Sequence, residues 1–382
     1  MTLGGDGNLY GTTDFGGNTN LNNGSGYGTV FQITTNGTLT TLVSFANTNG
    51  ANPYAGLTLD NDGNFYGTTP QGGSTGWGTV FQVTTNGTLT TLVSFAKTNG
   101  GYPEAALTLG NDGNFYGTTY MGGNTTLDDG NGVGTIFRVT TNGALNELAS
   151  FNGTNGWNPD AALTLGNDGN FYGTTDSGGS SFAGTVFKVT TNGTLTTLVS
   201  FGNTNGAEPD TALVLGSDGN FYGTTDFGGD VTNSAYPAYS SGFGTVFKVT
   251  TNGTLTTLAF FSGTNGINPN ALTLGNDGNF YGTTRRGGNT NLNNIYGYGT
   301  VFCISFPPVV QPTLTLQFWA GYPLLSLYGT LGDTYRVEYT TNLADSNWTP
   351  MLIVPSLSIS PFRMIDPAGA GQPMRYYRAV MQ

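Results

Sequence analysis

Apolar and polar positions along the first 300 or so residues follow one short pattern that keeps returning. In residues 55–95, Ala55 to Leu59 is a short apolar run that stops at Asn61-Asp62-Gly63, a hairpin signal because Asp-Gly tolerates positive φ. Asn64 to Thr69 reads as a second strand with Phe65 and Tyr66 on opposite faces. After a Gly-rich stretch, Gly78 to Thr84 carries Val80, Phe81 and Val83 as a third strand, and Asn86-Gly87 makes the next hairpin. Leu89 to Phe95 is a fourth strand, and Thr98-Asn99-Gly100 with Pro103 leads into the next copy. The pattern predicts a four-stranded antiparallel meander.

The unit recurs. Asp-Gly-Asn-Leu/Phe-Tyr-Gly-Thr-Thr starts at Asp6, Asp62, Asp112, Asp168, Asp218 and Asp277, spaced by 56, 50, 56, 50 and 59 residues. Gly-Thr-Val/Ile-Phe follows at Gly28, Gly78, Gly134, Gly184, Gly244 and Gly299, and Thr-Thr-Asn-Gly turns centre on Asn36, Asn86, Asn142, Asn192 and Asn252. Bulk on both faces of the middle strands calls for sheets covered on both sides, and radial packing provides this at a period near 50 residues. The expectation is an all-β protein: a β-propeller of six four-stranded blades over 1–306, the last irregular, then a small C-terminal β-sandwich. The sixth copy lacks the Thr-Thr-Asn-Gly turn, and residues 313–318 resemble the missing outer strand. Residues 307–312 read as a Pro-rich linker and 313–382 as the sandwich, with strands at 322–328, 335–339, 348–354 and 375–380.

Composition sharpens the picture. Gly 63 would suggest disorder, but 24 Phe and 20 Tyr at regular intervals make the glycines punctuation. Net charge is -12, and only Lys97, Arg138, Lys188, Lys248, Arg285 and Arg286 are basic within the repeats, so no basic patch awaits nucleic acid or anionic lipid. No long apolar run suggests membrane insertion, and no leader of signal-peptide type is evident. Cys303, alone in Val-Phe-Cys-Ile, reads as a buried small apolar residue.

The repeats resemble the GloVer tandem-repeat family of bacterial exported proteins, through Asp62-Gly63-Asn64-Phe65-Tyr66-Gly67-Thr68-Thr69 and Gly78-Thr79-Val80-Phe81. The resemblance covers about residues 1–306. It implies an extracellular or cell-surface protein and brings no activity and no catalytic residues.

Candidate chemistry is sparse. The repeated aspartates sit in hairpin turns that favour Asp-Gly for backbone reasons and lack the spaced oxygens of a calcium loop, so neither metal nor cofactor is expected. There is no histidine for a triad or imidazole base. A carboxylate repeated in equivalent turns makes no unequal acid–base pair, although the loop acids Asp128, Asp129, Asp226 and Asp230 are available. Variation concentrates between the Gly-Gly pairs and Gly-Thr-Val/Ile-Phe, where copies hold 10, 4, 10, 4, 14 and 10 residues. These loops point to Tyr236, Tyr239, Tyr296, Trp77, Tyr27 and Tyr298, with Arg285 and Arg286 beside the last loop, as ligand-binding residues. The expected function is a non-catalytic propeller that binds a glycan or extracellular protein through one loop face. A self-assembling homo-oligomer or filament is the alternative, and an accessory module of polysaccharide degradation the second.

Overall fold

The computed structural model describes residues 1–229, 242–289, 297–306, 312–329, 334–342, 348–370 and 375–381. The chain is an all-β propeller followed by a second compact unit, the division falling between Ile304 and Ser305. Five four-stranded antiparallel sheets follow one another in sequence order. In the second sheet the strands are Thr58–Leu59, Phe65–Thr69, Thr79–Val83 and Leu89–Ser94. A further sheet is built from Thr273–Leu274, Phe280–Arg286 and Val301–Ile304, with Ile267–Pro269 on the far end of its long strand.

The sheets are held together by aromatic rings. All five residues of Phe65–Thr69 are buried, on both faces of the strand. Tyr10 lies over Phe65, Tyr66 over Phe115, Tyr116 over Phe171, Tyr172 over Phe221 and Tyr222 over Phe280, with ring centroids 4.0–4.2 Å apart. A second series, Phe45–Phe81 through Phe261–Phe302, meets edge-on at 5.1–5.2 Å. Each ring is at once the core of its own sheet and of the next.

The repeated aspartate orders the ring it accompanies. Asp62 accepts from the Asn64 N–H at 2.8 Å, from the Asn64 side-chain amide at 2.8 Å and from the Tyr66 hydroxyl at 3.0 Å. The polar end of a buried tyrosine is thereby satisfied by the turn before it. The short first strands approach one another: Thr2, Thr58, Thr108 and Thr164 each donate to a leucine carbonyl of the next repeat at 2.5–2.6 Å.

Two expectations are corrected. Thr313–Trp319 is not an outer strand of the sixth repeat; it pairs along its whole length with Tyr322–Tyr328 in the second unit. Ala320 and Gly321 between them are both left-handed (φ 52 and 84), the geometry of a tight hairpin, and fix that pairing locally. Cys303 is exposed rather than buried, because one face of its sheet is uncovered. The second unit has two three-stranded sheets, around Tyr322–Tyr328 and Tyr335–Thr340, whose shared core includes Leu325, Leu327, Tyr335 and Val337. No helix among the described residues is long and apolar enough to cross a membrane.

If stacking between sheets is the main source of stability, Phe171→Ala should cost about 3–5 kcal/mol in urea unfolding. Leu9→Ala, at the equivalent position on the partly exposed first sheet, should cost about 1 kcal/mol or less.

Candidate functional site

Two positions in each repeat escape the uniform frame. One follows the proline of the connection between sheets: Tyr54, Glu104, Asp160, Asp210 and Asn270. The other follows the Thr-Thr of the second strand: Asp14, Pro70, Tyr120, Asp176, Asp226 and Arg285. Local structure brings the two together. Gly78 is left-handed (φ +94), and a Cβ there would lie 2.4 Å from the Thr69 carbonyl oxygen and 2.7 Å from Pro103, so only glycine lets the next connection close onto this sheet. The Thr68 hydroxyl donates to the Ala105 carbonyl at 2.9 Å on the other side of that proline. Asn52, Asn158 and Asn268 donate their side-chain amides to the carbonyls of Asp14, Tyr120 and Asp226 at 3.0, 2.8 and 2.9 Å. At these three junctions the amide ties the residue before the proline to the backbone of the residue after Thr-Thr, and so brings the two variable positions near one another.

The sequence places acids at consecutive junctions, where they act on one another. Burial, then Asp176 and Asp210, push the Asp160 carboxyl up to about 8. Burial, then Asp210, raise Asp226 to about 6, against the pull of Arg285. Burial also raises Asp176, Glu104 and Glu208. Arg285 ties two junctions together, donating to Asp210 at 2.9 Å and to Asp226 at 3.2 Å. Burial opposes its charge, but Asp226 and Asp210 outweigh burial and hold its pKa up. One oxygen each of Asp160, Asp210 and Asp226 is buried without a hydrogen-bond partner. A desolvated acceptor left unpaired is costly, so these oxygens are the open valences of the site. Among the described residues no three acids are grouped so as to hold one metal ion.

Two clefts flank this centre. One of about 400 Å³ includes Phe15, Tyr27, Tyr54, Gln71, Tyr102 and Glu104 in its lining. Another, of about 450 Å³, includes Tyr120, Asp128, Trp157 and Phe182. Burial, and then the neighbouring Glu104 carboxyl, drive the Tyr54 phenol far upward.

Of the residues singled out from sequence, the structure brings Arg285 to the acidic centre and Tyr27 to the first cleft. Trp77 stands behind that cleft, edge-on to Tyr102 at 5.2 Å with Lys97 over its ring at 5.5 Å. Tyr298 is 75% exposed, and Arg286 is exposed beside Arg285. Tyr236, Tyr239, Tyr296 and Asp230 lie outside the described residues. Asp226, offered as a loop acid, is central; Asp128 lines the second cleft. Asp160, Asp176, Asp210, Glu104 and Glu208 escaped notice. For Glu104, Asp160 and Asp210 the signal was present: Tyr, Glu, Asp, Asp and Asn follow the proline of an otherwise constant connection.

The model of the Gloeobacter/Verrucomicrobia repeat matches residues 1–130 and 125–236. Comparison with curated proteins finds no match in sequence. Among solved structures, the periplasmic gluconolactonase of Pseudomonas aeruginosa is similar at TM-score 0.46 and 15% identity, over 93% of this chain and 98% of that one. A gluconolactonase of Xanthomonas campestris gives 0.41 and 14%, over 68% and 76%. A β-fructofuranosidase of Bombyx mori gives 0.37 and 11%, over 76% and 69%. The expectation of a non-catalytic loop-face binder is corrected: similar structures include gluconolactonases, and Asp160, whose carboxyl is raised by burial and by Asp176 and Asp210, is an acid the sequence did not single out.

Glu208 holds the left-handed position (φ 55) that Asn52, Asn158 and Asn268 fill elsewhere. Asparagine tolerates that backbone, and the new amide would reach the Asp176 carbonyl as its counterparts reach theirs. Glu208→Asn should therefore stabilise the fold by about 1–2 kcal/mol in chemical denaturation.

Proposed function

Because the chain belongs to the Gloeobacter/Verrucomicrobia repeat family, a membership that establishes no activity, we propose that its function lies in the residues that break the repeat, as an acid–base hydrolase. The observation that carries this reading is the pair Asp160 and Asp226. Both present a buried, unpartnered oxygen, and their surroundings hold one near 8 and the other near 6. Two carboxyls whose environments separate their proton affinities are the requirement for donor and acceptor to coexist at neutral pH.

Asp160 is the proton donor. Asp226, its second oxygen tied to Arg285, is the base. Water attacks the electrophilic carbon as Asp226 removes its proton. The carbon–oxygen bond to the leaving group breaks, and Asp160 protonates the departing oxygen. Proton return from Asp226 to Asp160 restores the site. Arg285 bridges Asp210 and Asp226 and positions the base. The surplus of carboxylates around the centre repels anions, so the substrate is uncharged at the reacting end. Lactone opening, the reaction named for the gluconolactonases, is the first of this class to assay.

The test is turnover of D-glucono-δ-lactone, 4-nitrophenyl acetate and 4-nitrophenyl glycosides by the purified chain. A protonated donor is lost as pH rises past about 8, and an ionised base is lost as pH falls past about 6, so kcat/KM should be bell-shaped between those limits. Asp160→Asn should lower kcat by about 10²–10⁴-fold. No turnover of any of these substrates, or an Asp160→Asn variant as active as the parent, would overturn the reading.

A further inference from the structure

We infer that the cleft of about 400 Å³ between the first three sheets is the subsite that selects the substrate, and that it takes the ring of a neutral sugar. The inference rests on the hydrolytic reading for its connection to chemistry, and on the cleft itself for its ligand. The volume falls within the range of small-molecule sites, about 300–1,000 Å³. Tyr102 of the cleft accepts from the Tyr120 N–H at 3.0 Å, and Tyr120 accepts from the Asn158 amide at 2.8 Å, two residues before Asp160, so the cleft lies one junction from the acid centre.

The lining specifies the ligand's chemistry from two sides. Phe15, Tyr27, Tyr54 and Tyr102 supply aromatic surface, and Phe15 and Tyr54 are more than half exposed. The same lining holds Asp14 and Glu104. Ionised carboxylates only accept hydrogen bonds, so a matching ligand must donate several without carrying negative charge. A pyranose does both. Its hydroxyl rim donates, and the C–H bonds of its flatter face carry partial positive charge towards the electron-rich face of an aromatic ring.

A backbone feature marks Tyr102 as the selecting residue. It stands at φ 55, in the left-handed region where Asn52, Asn158 and Asn268 occupy the same place. A bulky side chain there is strained, and strain persists where it positions a group for use. Trp77 braces the Tyr102 ring edge-on, which gives that loop aromatic the role of a support. Tyr102 donates its backbone N–H to the Trp77 carbonyl at 3.0 Å, so ring and support share one anchor.

The experiment is saturation-transfer NMR on the purified chain with methyl β-D-glucopyranoside, methyl β-D-galactopyranoside and D-glucuronate, repeated on Asp160→Asn. Transfer to the ring protons of at least one methyl glycoside, with at least tenfold weaker binding of glucuronate, is expected for both proteins. Tyr102→Asn should weaken glycoside binding at least tenfold while leaving Tm unchanged or higher, and Tyr54→Ala should weaken it similarly with an unchanged far-ultraviolet CD spectrum. Binding unaffected by both substitutions, absence of transfer to either glycoside, or equal binding of glucuronate would overturn the inference. Binding that depends on Tyr102 in a protein without turnover keeps the subsite and removes the hydrolytic reading. Turnover whose KM ignores Tyr102 and Tyr54 does the reverse.

Discussion

The stacking of a tyrosine from one sheet on a phenylalanine of the next is the constraint from which the rest of the structure follows. With centroids near 4 Å, it leaves no room for water between sheets and makes both faces of the second strand interior in the second to fifth sheets. It also fixes the distance at which the next connection must pass. The chain meets that demand with a glycine that has no side chain to obstruct, a proline laid against it, and threonine and asparagine side chains that satisfy the carbonyls left over. Wherever the frame is satisfied in this way, the residue after the proline and the residue after Thr-Thr are brought near one another. The scaffold does not care what they are, which is why they vary.

That indifference lets a repetitive chain hold an asymmetric site. Six equal repeats with equal side chains would give equal environments and no division between acid and base. Here the variable positions run Tyr54, Glu104, Asp160, Asp210 and Asn270 on one side and Asp14, Pro70, Tyr120, Asp176, Asp226 and Arg285 on the other. The arginine at the end of this series pulls Asp226 down against its burial, while Asp160 is held up by burial and then by Asp176 and Asp210. The separation of proton affinities thus follows from how each carboxyl is buried and from the charges beside it, Arg285 among them for Asp226. Burial makes the separation matter, because charges that water would screen at the surface interact strongly when desolvated.

The strands were legible in the sequence because each is specified locally: Asp-Gly and Asn-Gly fix the hairpins, and Phe-Tyr and Val-Phe pairs mark strands with two buried faces. The first strand was overread. Ala55 to Leu59 reduces to Thr58–Leu59, since the left-handed Asn52 and the proline after it occupy the chain with the junction rather than with pairing. The site was not legible for the opposite reason. Its acids come from separate repeats, some beside an ordinary proline and others after Thr-Thr, and none is unusual until the stack brings its neighbours close. The irregular loops vary in length, whereas the variation that builds the site is single residues in an unchanging frame. Arg285 and Asp226 were visible only as charges in a chain with few of them.

All of this turns on whether carboxyls from separate repeats share one desolvated centre, and the ionisation of Asp160 reports that directly. Carboxyl carbon chemical shifts followed by NMR across pH 3 to 10, with Asp160 assigned through Asp160→Asn, would give its midpoint. The account predicts a midpoint near 8, well apart from the repeated turn aspartates. A midpoint near 4, the value of an aspartate in water, would mean that the acids do not meet and would contradict it.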